Sequence, residues 1–138
     1  MLKWVAIQDK TLVDLSTVAL MRFSLTPTWP HYAKLSVANG NTLFEMTNPQ
    51  IKDEAFIQKL RKLASSSPEW VLVRPVQQEP DESERYANLN HVGLIFFGTD
   101  GGKPFEVAHL ATTAGPFLGS TDREDTTQRV RDWSKGAQ

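Results

Sequence analysis

The sequence predicts an α+β domain: a strongly bent antiparallel sheet of six or seven strands, a partly open barrel or roll, with an amphipathic helix near residues 50–64 and a C-terminal helix near 122–135. Three observations carry this. In "YAKLSVANGNTLFEM" alternating residues flank Asn39-Gly40, a dipeptide that tolerates the positive φ angles of a tight turn, so the chain reverses into Thr42–Met46. In "TNPQIKDEAFIQKLRKLASSS" the period changes: Ile51, Ala55, Phe56, Leu60, Leu63 and Ala64 recur at helical spacing, with Asn48 and Pro49 suited to its start and the serine run to its end. The remaining apolar residues fall in short β-branched runs separated by Pro, Gly and polar clusters, which is the pattern of strands.

"KWVAIQ" is a short strand, and "TLVDLSTVALMRFSLT" a second extended region with a bend at Asp14–Thr17, where side-chain oxygens compete for backbone amides. "TPTWPH" is a loop, because Pro27 and Pro30 lack the amide hydrogens that a central strand donates. "EWVLVRPV" is a strand ended by Pro75, and residues 77–90, acidic and proline-bearing, form a mobile surface loop. "HVGLIFFG" and "PFEVAHLATT" are paired strands, and "AGPFLGS" is irregular. Thr121 with Glu124 makes a capping box, opening a last helix whose acids come first and bases last. No internal repeat stands out: both halves hold a glycine-turned hairpin, but the flanking residues do not match.

At 138 residues the chain has the size of one domain. Its net charge of -1 gives no field to attract a phosphate backbone, so nucleic acid is a disfavoured partner; Arg22, Lys34, Lys59, Arg61 and Lys62 are the basic residues that a nucleic-acid reading would use. The absence of cysteine removes disulfides and thiolate chemistry and fits a reducing cytoplasm. The longest apolar run, "GLIFF", is far too short to cross a bilayer, so no membrane role is expected.

"GTDGGKPFEV" tests the enzymatic reading. A phosphate loop needs four residues between its first Gly and the Gly-Lys pair, a Ser or Thr after the Lys, and a helix beyond. Here three residues separate Gly98 from Gly102, Pro104 follows Lys103, and a strand comes next, so the glycines serve a hairpin turn. A loop at Asp100-Gly101-Gly102 sets Phe97 opposite Phe105 and Ile95 opposite Val107. It makes His91 and His109 diagonal neighbours on one face, a possible ligand or acid-base pair. Two histidines without a third ligand at metal spacing imply no metal site, and no cofactor motif is present. Since "GLIFF" is apolar on both faces, its strand should be central, covered by a helix or by a second copy.

"WVAI", "TLVDLSTVALMRF", "YAKLSVANGNTLFEM" and "EAFIQKLRKL" together resemble, over residues 1–65, small bacterial domains of pleckstrin-homology-like type, in which curved antiparallel strands are closed by an amphipathic helix. The resemblance implies a binding scaffold rather than a catalyst. The same strand pattern is similar to the LytTR type of DNA-binding domain, from which this chain departs in lacking a basic reading face.

The leading expectation is therefore a small non-catalytic binding or regulatory module of adaptor, chaperone or inhibitor type. It acts through a protein partner, as a homodimer in the cytoplasm, with Trp29, His31, Tyr32, Arg74 and Tyr86 as contact residues. The alternatives are a small-molecule-binding or hydrolytic enzyme with a site at the mouth of the sheet, built on His91 and His109, and a nucleic-acid-binding regulator.

Overall fold

A computed structural model describes residues 4–8, 11–26, 29–46, 54–75 and 84–136. The chain runs β1 (Trp4–Gln8), β2 (Thr11–Asp14), a 3₁₀ turn (Leu15–Thr17), β3 (Leu20–Thr26), β4 (Trp29–Ser36), β5 (Thr42–Met46) and α1 (Glu54–Ser66). It continues through β6 (Trp70–Leu72), β7 (Glu84–Asn88), a second 3₁₀ turn (Leu89–His91), β8 (Val92–Gly98), β9 (Val107–Thr112), β10 (Phe117–Ser120) and α2 (Glu124–Gly136). The α+β class and the antiparallel pairing are as the residue pattern predicts. The strands among the described residues number ten and lie in three sheets, β5-β4-β3-β7-β6, β10-β9-β8 and β1-β2, which do not close into a barrel. The hairpin at Asn39-Gly40 forms, but not as a type I′ turn centred on that dipeptide: the Gly40 amide donates to Val37 O at 3.0 Å, which puts Ala38 and Asn39 at the centre and Gly40, at φ 92°, just after them.

Several local readings are corrected. Trp29–His31 belongs to β4 rather than to a loop; β5 pairs with β4 only from Ala33 onward, so Pro30 sits where the strand has one paired edge. The predicted acidic loop over 77–90 includes strand β7 and the second 3₁₀ turn, with Tyr86, Ala87, Asn88 and Leu89 buried; residues 76–83 lie outside the described set. "PFLGS" is strand β10, with Leu118 and Gly119 buried. The capping box at Thr121 does not form, because the Thr121 hydroxyl is spent on the Ala108 amide, 2.9 Å away, and on the Thr127 hydroxyl, 2.6 Å away. The β8–β9 register also differs: Phe97 faces Ala108 and Phe96 faces His109, an odd slip that turns every side chain to the other face.

The expectation of no internal repeat is overturned as well. β1 to α1 and β6 to α2 follow the same plan: hairpin, 3₁₀ turn, three-stranded meander, helix. The registers coincide, since Trp4↔Asp14, Val5↔Val13 and Ala6↔Leu12 in β1–β2 correspond to Trp70↔Asn88, Val71↔Ala87 and Leu72↔Tyr86 in β6–β7. Asp14 and Asn88 each cap a 3₁₀ turn by accepting the amide of the second residue on. At the next turn the Gly40 amide donates to Val37 O and the Gly115 amide to Thr112 O, both at 3.0 Å, and both glycines have positive φ, 92° and 113°. Aligned on these points, "VDLSTVALMRF" matches "ANLNHVGLIFF" through Leu15/Leu89, Val18/Val92, Leu20/Leu94 and Phe23/Phe97, and "WV" recurs at Trp4 and Trp70. Both helices have 13 residues and bury their fourth and seventh, Ile57 and Leu60 in one, Thr127 and Val130 in the other.

Each repeat builds a core. The first holds Val5, Val13, Val18, Met21, Phe23, Leu35, Ile57 and Leu60; the second holds Val71, Val73, Ala87, Leu89, Ala108, Leu110, Leu118 and Val130. Each large side chain fully buried in this way contributes about 1.5–3 kcal/mol. The repeats are stitched together where β7 of the second pairs with β3 of the first, Leu20↔Ala87 and Met21↔Tyr86. Alternation then sends Tyr86 into the first core, edge-on to Phe23 at 6.2 Å, and Ala87 into the second. Trp70 enters the first core beside Tyr86. The second repeat thus supplies two aromatic residues to the core of the first.

Candidate functional site

The meander β8-β9-β10 turns one face inward and one outward. Inward, Ala108 and Leu110 are buried in the second core, and Ile95 and Phe97 opposite them are half-buried against it. Outward, Phe96, His109 and Ser120 form one row across the three strands, and Leu94, Ala111 and Phe117 the next. Phe96 and Leu94 are 62 % and 61 % exposed, and Phe117 is 42 % exposed. The strand expected to be central and doubly covered lies instead at a sheet edge, with its apolar outer face in water. Phe96 stacks on the His109 imidazole, centroids 5.8 Å apart and planes 27° from parallel. His109 Nδ1 and Ser120 Oγ share a 2.6 Å hydrogen bond, which fixes the ring across the sheet. The Phe96 ring also lies over Gly98, where a Cβ would stand 2.5 Å from it. The result is a flat, held aromatic surface with one polar contact at its centre.

The equivalent row in the first repeat is Arg22, Lys34 and Glu45. The same scaffold therefore presents a charged face on one repeat and an aromatic face on the other. Exposed apolar groups clustered on one sheet face make a candidate contact surface, whereas singly scattered ones are ordinary.

The residues singled out from sequence fall in different places. Trp29, His31 and Tyr32 lie in the first half of β4, Trp29 opposite Thr26 and Tyr32 opposite Ser24. Arg74 sits at the seam between two sheets: its backbone exchanges hydrogen bonds with Ser120 at 2.7 and 2.8 Å, and its Nε donates to Asp122 at 2.9 Å. Tyr86 is a core residue, 6 % exposed, so it is removed from any surface. Burial, helped by the hydrogen bond its hydroxyl donates to Glu84 at 2.7 Å, holds its phenol well above the usual tyrosine range.

His91 and His109 do not come together. His91 belongs to the 3₁₀ turn before β8, with Nε2 2.5 Å from Ser16 O, while His109 is engaged with Phe96 and Ser120. Among the described residues no group of three His, Asp or Glu is placed to hold a metal ion. A hollow lined by Leu89, Asn90, Asp132, Trp133 and Gly136 brings a single carboxylate. Of the basic residues, Arg61 on α1 is paired with Glu84, and Arg22 and Lys34 share their row with Glu45. No helix among the described residues is long and apolar enough to cross a membrane.

Sequence reasoning misses Leu94, Phe96 and Phe117 as an exposed apolar cluster. The signal was present in "GLIFF", apolar on both faces, which is equally the pattern of a strand buried twice and of one covered only by a partner. Comparison of the chain with family models, with curated proteins and with solved structures finds no match.

Proposed function

We propose that this chain is a non-catalytic binding or regulatory module that acts through a protein partner, and that the partner seats on the outer face of β8-β9-β10. The observation that carries the reading is the exposed aromatic row of Phe96 and His109 with Leu94 and Phe117 beside it, on a rigid sheet and set against a charged row at the equivalent place of the first repeat. Stacked and hydrogen-bonded aromatic groups lose little freedom on association, which favours them as anchors. A homodimer is the simplest form, because an apolar patch meets its own copy across a two-fold axis. A cysteine-free chain suits the reducing cytoplasm that we propose as its location. The run of strands closed by α1 supports the pleckstrin-homology-like reading of residues 1–65, which we retain as part of this proposal.

The test is association of the purified chain followed by sedimentation and, in parallel, capture from extract of the source cell, with Phe96→Glu and Phe117→Glu together as the comparison. The expected result is loss of self-association or of a specific captured protein in the double variant, with its melting temperature unchanged. If the double variant associates and captures as the wild type does, the face is not the site.

A further inference from the structure

The repeat carries an imbalance. In the first core Trp70 and Tyr86, delivered by the β6–β7 hairpin of the other repeat, are 3 % and 6 % exposed. Their equivalents on the β1–β2 hairpin are Trp4 and Leu12, which share the same register positions, and these are 55 % and 60 % exposed. The residues that Trp70 and Tyr86 cover, Met21 and Phe23, are fully buried, whereas the equivalent Ile95 and Phe97 in the second core are only half-buried. Where Tyr86 lies against Phe23, the place against Phe97 is taken by the Arg131 guanidinium, 4.1 Å from the ring centroid. β3 accepts β7 along its edge, while among the described residues β8 pairs only with β9 and β2 only with β1. One of two equivalent seams is made and the other is open, and both of its halves are on this chain.

We infer that the β1–β2 hairpin is a strap that closes onto the free edge of β8, completing the second core with Leu12 and Trp4 as β6–β7 completes the first. The register follows from the formed seam: Leu94 opposite Val13, Ile95 opposite Leu12 and Phe96 opposite Thr11, the counterparts of Leu20↔Ala87, Met21↔Tyr86 and Arg22↔Arg85. Val5 and Val13 keep their places in the first core, since they face it now and the formed seam leaves Val71 and Ala87 in the second. Closure moves Arg131 off Phe97, buries Leu94 beside Val13, and leaves the outward Phe96 and His109 row exposed. The occupant is the chain's own hairpin rather than a second copy's. The two 3₁₀ turns already touch, His91 Nε2 against Ser16 O at 2.5 Å, so the end of β2 lies at the start of β8 and a tether of a few residues gives an effective concentration that a free copy cannot match.

The inference does not depend on the partner reading and is tested without a partner. The chain has no cysteine, so Thr11→Cys with Phe96→Cys introduces a single thiol pair, both at exposed positions. Directly opposite residues on antiparallel strands are within disulfide reach. The control is Thr11→Cys with Phe97→Cys, whose side chains point to opposite faces. Under mild oxidation the first pair is expected to close within one monomer, on the order of tenfold or more faster than the control. Hydrogen exchange on the cysteine-free wild type is the second measurement, with slowed amides expected at alternate residues of β8. A disulfide found only between chains, or two thiols that stay free while β8 exchanges as an open edge, overturns the inference. Association is measured on the cysteine-free chain, because Phe96→Cys alters the proposed face: no association there alongside a closed disulfide in the variant would sink the partner reading and leave the strap standing.

Discussion

Asn88 tests whether the repeat is held at equivalent points. Its side chain is 2 % exposed and does two things: Oδ1 accepts the Asn90 amide at 3.0 Å, capping the 3₁₀ turn, and Nδ2 donates to Val18 O at 2.9 Å, tying the turn to the start of β3. Asn88→Ala removes the cap, about 0.5–2 kcal/mol, and takes from Val18 O a donor it has in the buried interior, about 1–3 kcal/mol. A loss of roughly 2–4 kcal/mol follows once overlap between the two is allowed. With unfolding entropy of about 2.1 cal/mol/K per residue, 1 kcal/mol is worth roughly 3–4 °C for a chain of this length, so the melting temperature should fall by roughly 7–14 °C. Asn88→Asp restores the cap, as Asp14 does in the first repeat, but sets a carboxylate against the Val18 carbonyl. Burial, with one oxygen set against the Val18 carbonyl and without a donor, raises that carboxyl's pKa in the fold. A raised carboxyl stabilises the fold only when protonated, so the deficit against wild type shrinks as pH falls toward the unfolded value of about 4. Calorimetric melts of the three chains between pH 4 and 8 give the answer. An Asn88→Ala melt within about 2 °C of wild type, or an Asn88→Asp deficit that does not depend on pH, would refute the reasoning.

Two further outcomes follow from particular contacts. Tyr86 has a folded pKa raised by burial and by Glu84, so its contribution is present below about pH 10 and is lost as pH climbs beyond, at up to about 1.4 kcal/mol per pH unit. Tyr86→Phe should flatten that alkaline limb in denaturant titrations between pH 9 and 11, and an unchanged limb would assign the loss to other groups. Gly119 has φ 147°, and a Cβ there would stand 2.8 Å from Arg74 O and 2.8 Å from Val73 Cγ2, so Gly119→Ala should cost about 1–3 kcal/mol by chemical denaturation and loosen the Arg74–Ser120 seam. A neutral Gly119→Ala would mean that β10 shifts freely against Val73 and Arg74.

The parts of the fold legible in the sequence are those fixed by local chemistry. Gly40 specifies its hairpin because glycine takes the positive φ the turn needs, and the Asp14 bend announces itself through a side chain that accepts the amide two residues on. β7 is hidden because its identity is tertiary: "ERYAN" carries charges at one end, and Tyr86 and Ala87, turned apart by strand alternation, are both buried only because a core lies on each side. Pro30 misleads for a related reason, since proline excludes a strand paired on both edges and not one paired on a single edge. The repeat escapes a sequence reading because its shared positions are structural roles filled by different residues: Asp14 and Asn88 cap alike, Tyr86 and Leu12 share a register place, and Ile57 and Thr127 share a helical one. Of the candidate site, only His109 is common to the residues singled out from sequence and to the surface that the fold presents. The choice between a doubly buried strand and an open one turns on what lies across the edge of β8, which no residue in "GLIFF" records.

A scaffold used twice separates what the fold needs from what it leaves free. Positions that face inward keep their character in both repeats: Leu35 and Leu110, Val5 and Val71, Phe23 and Phe97. Outward positions carry no such demand, and there the repeats part, Arg22, Lys34 and Glu45 on one, Phe96, His109 and Ser120 on the other. A charged row is the default that keeps a sheet face in water. An aromatic row at the same place is a cost to solubility that stability does not require, because Phe96 at 62 % exposure adds little to either core. The strap strengthens this separation. When Leu12 and Trp4 cover Ile95 and Phe97, the exposure of Leu94 is explained by the open seam, and what remains unexplained by folding is Phe96 stacked on His109, with Phe117 in the next row. That remainder is where a partner's contribution should be measured, with the seam locked by Leu12→Cys and Ile95→Cys, opposite each other in the same register and off the face, so that the binding surface and the closing strap are read apart.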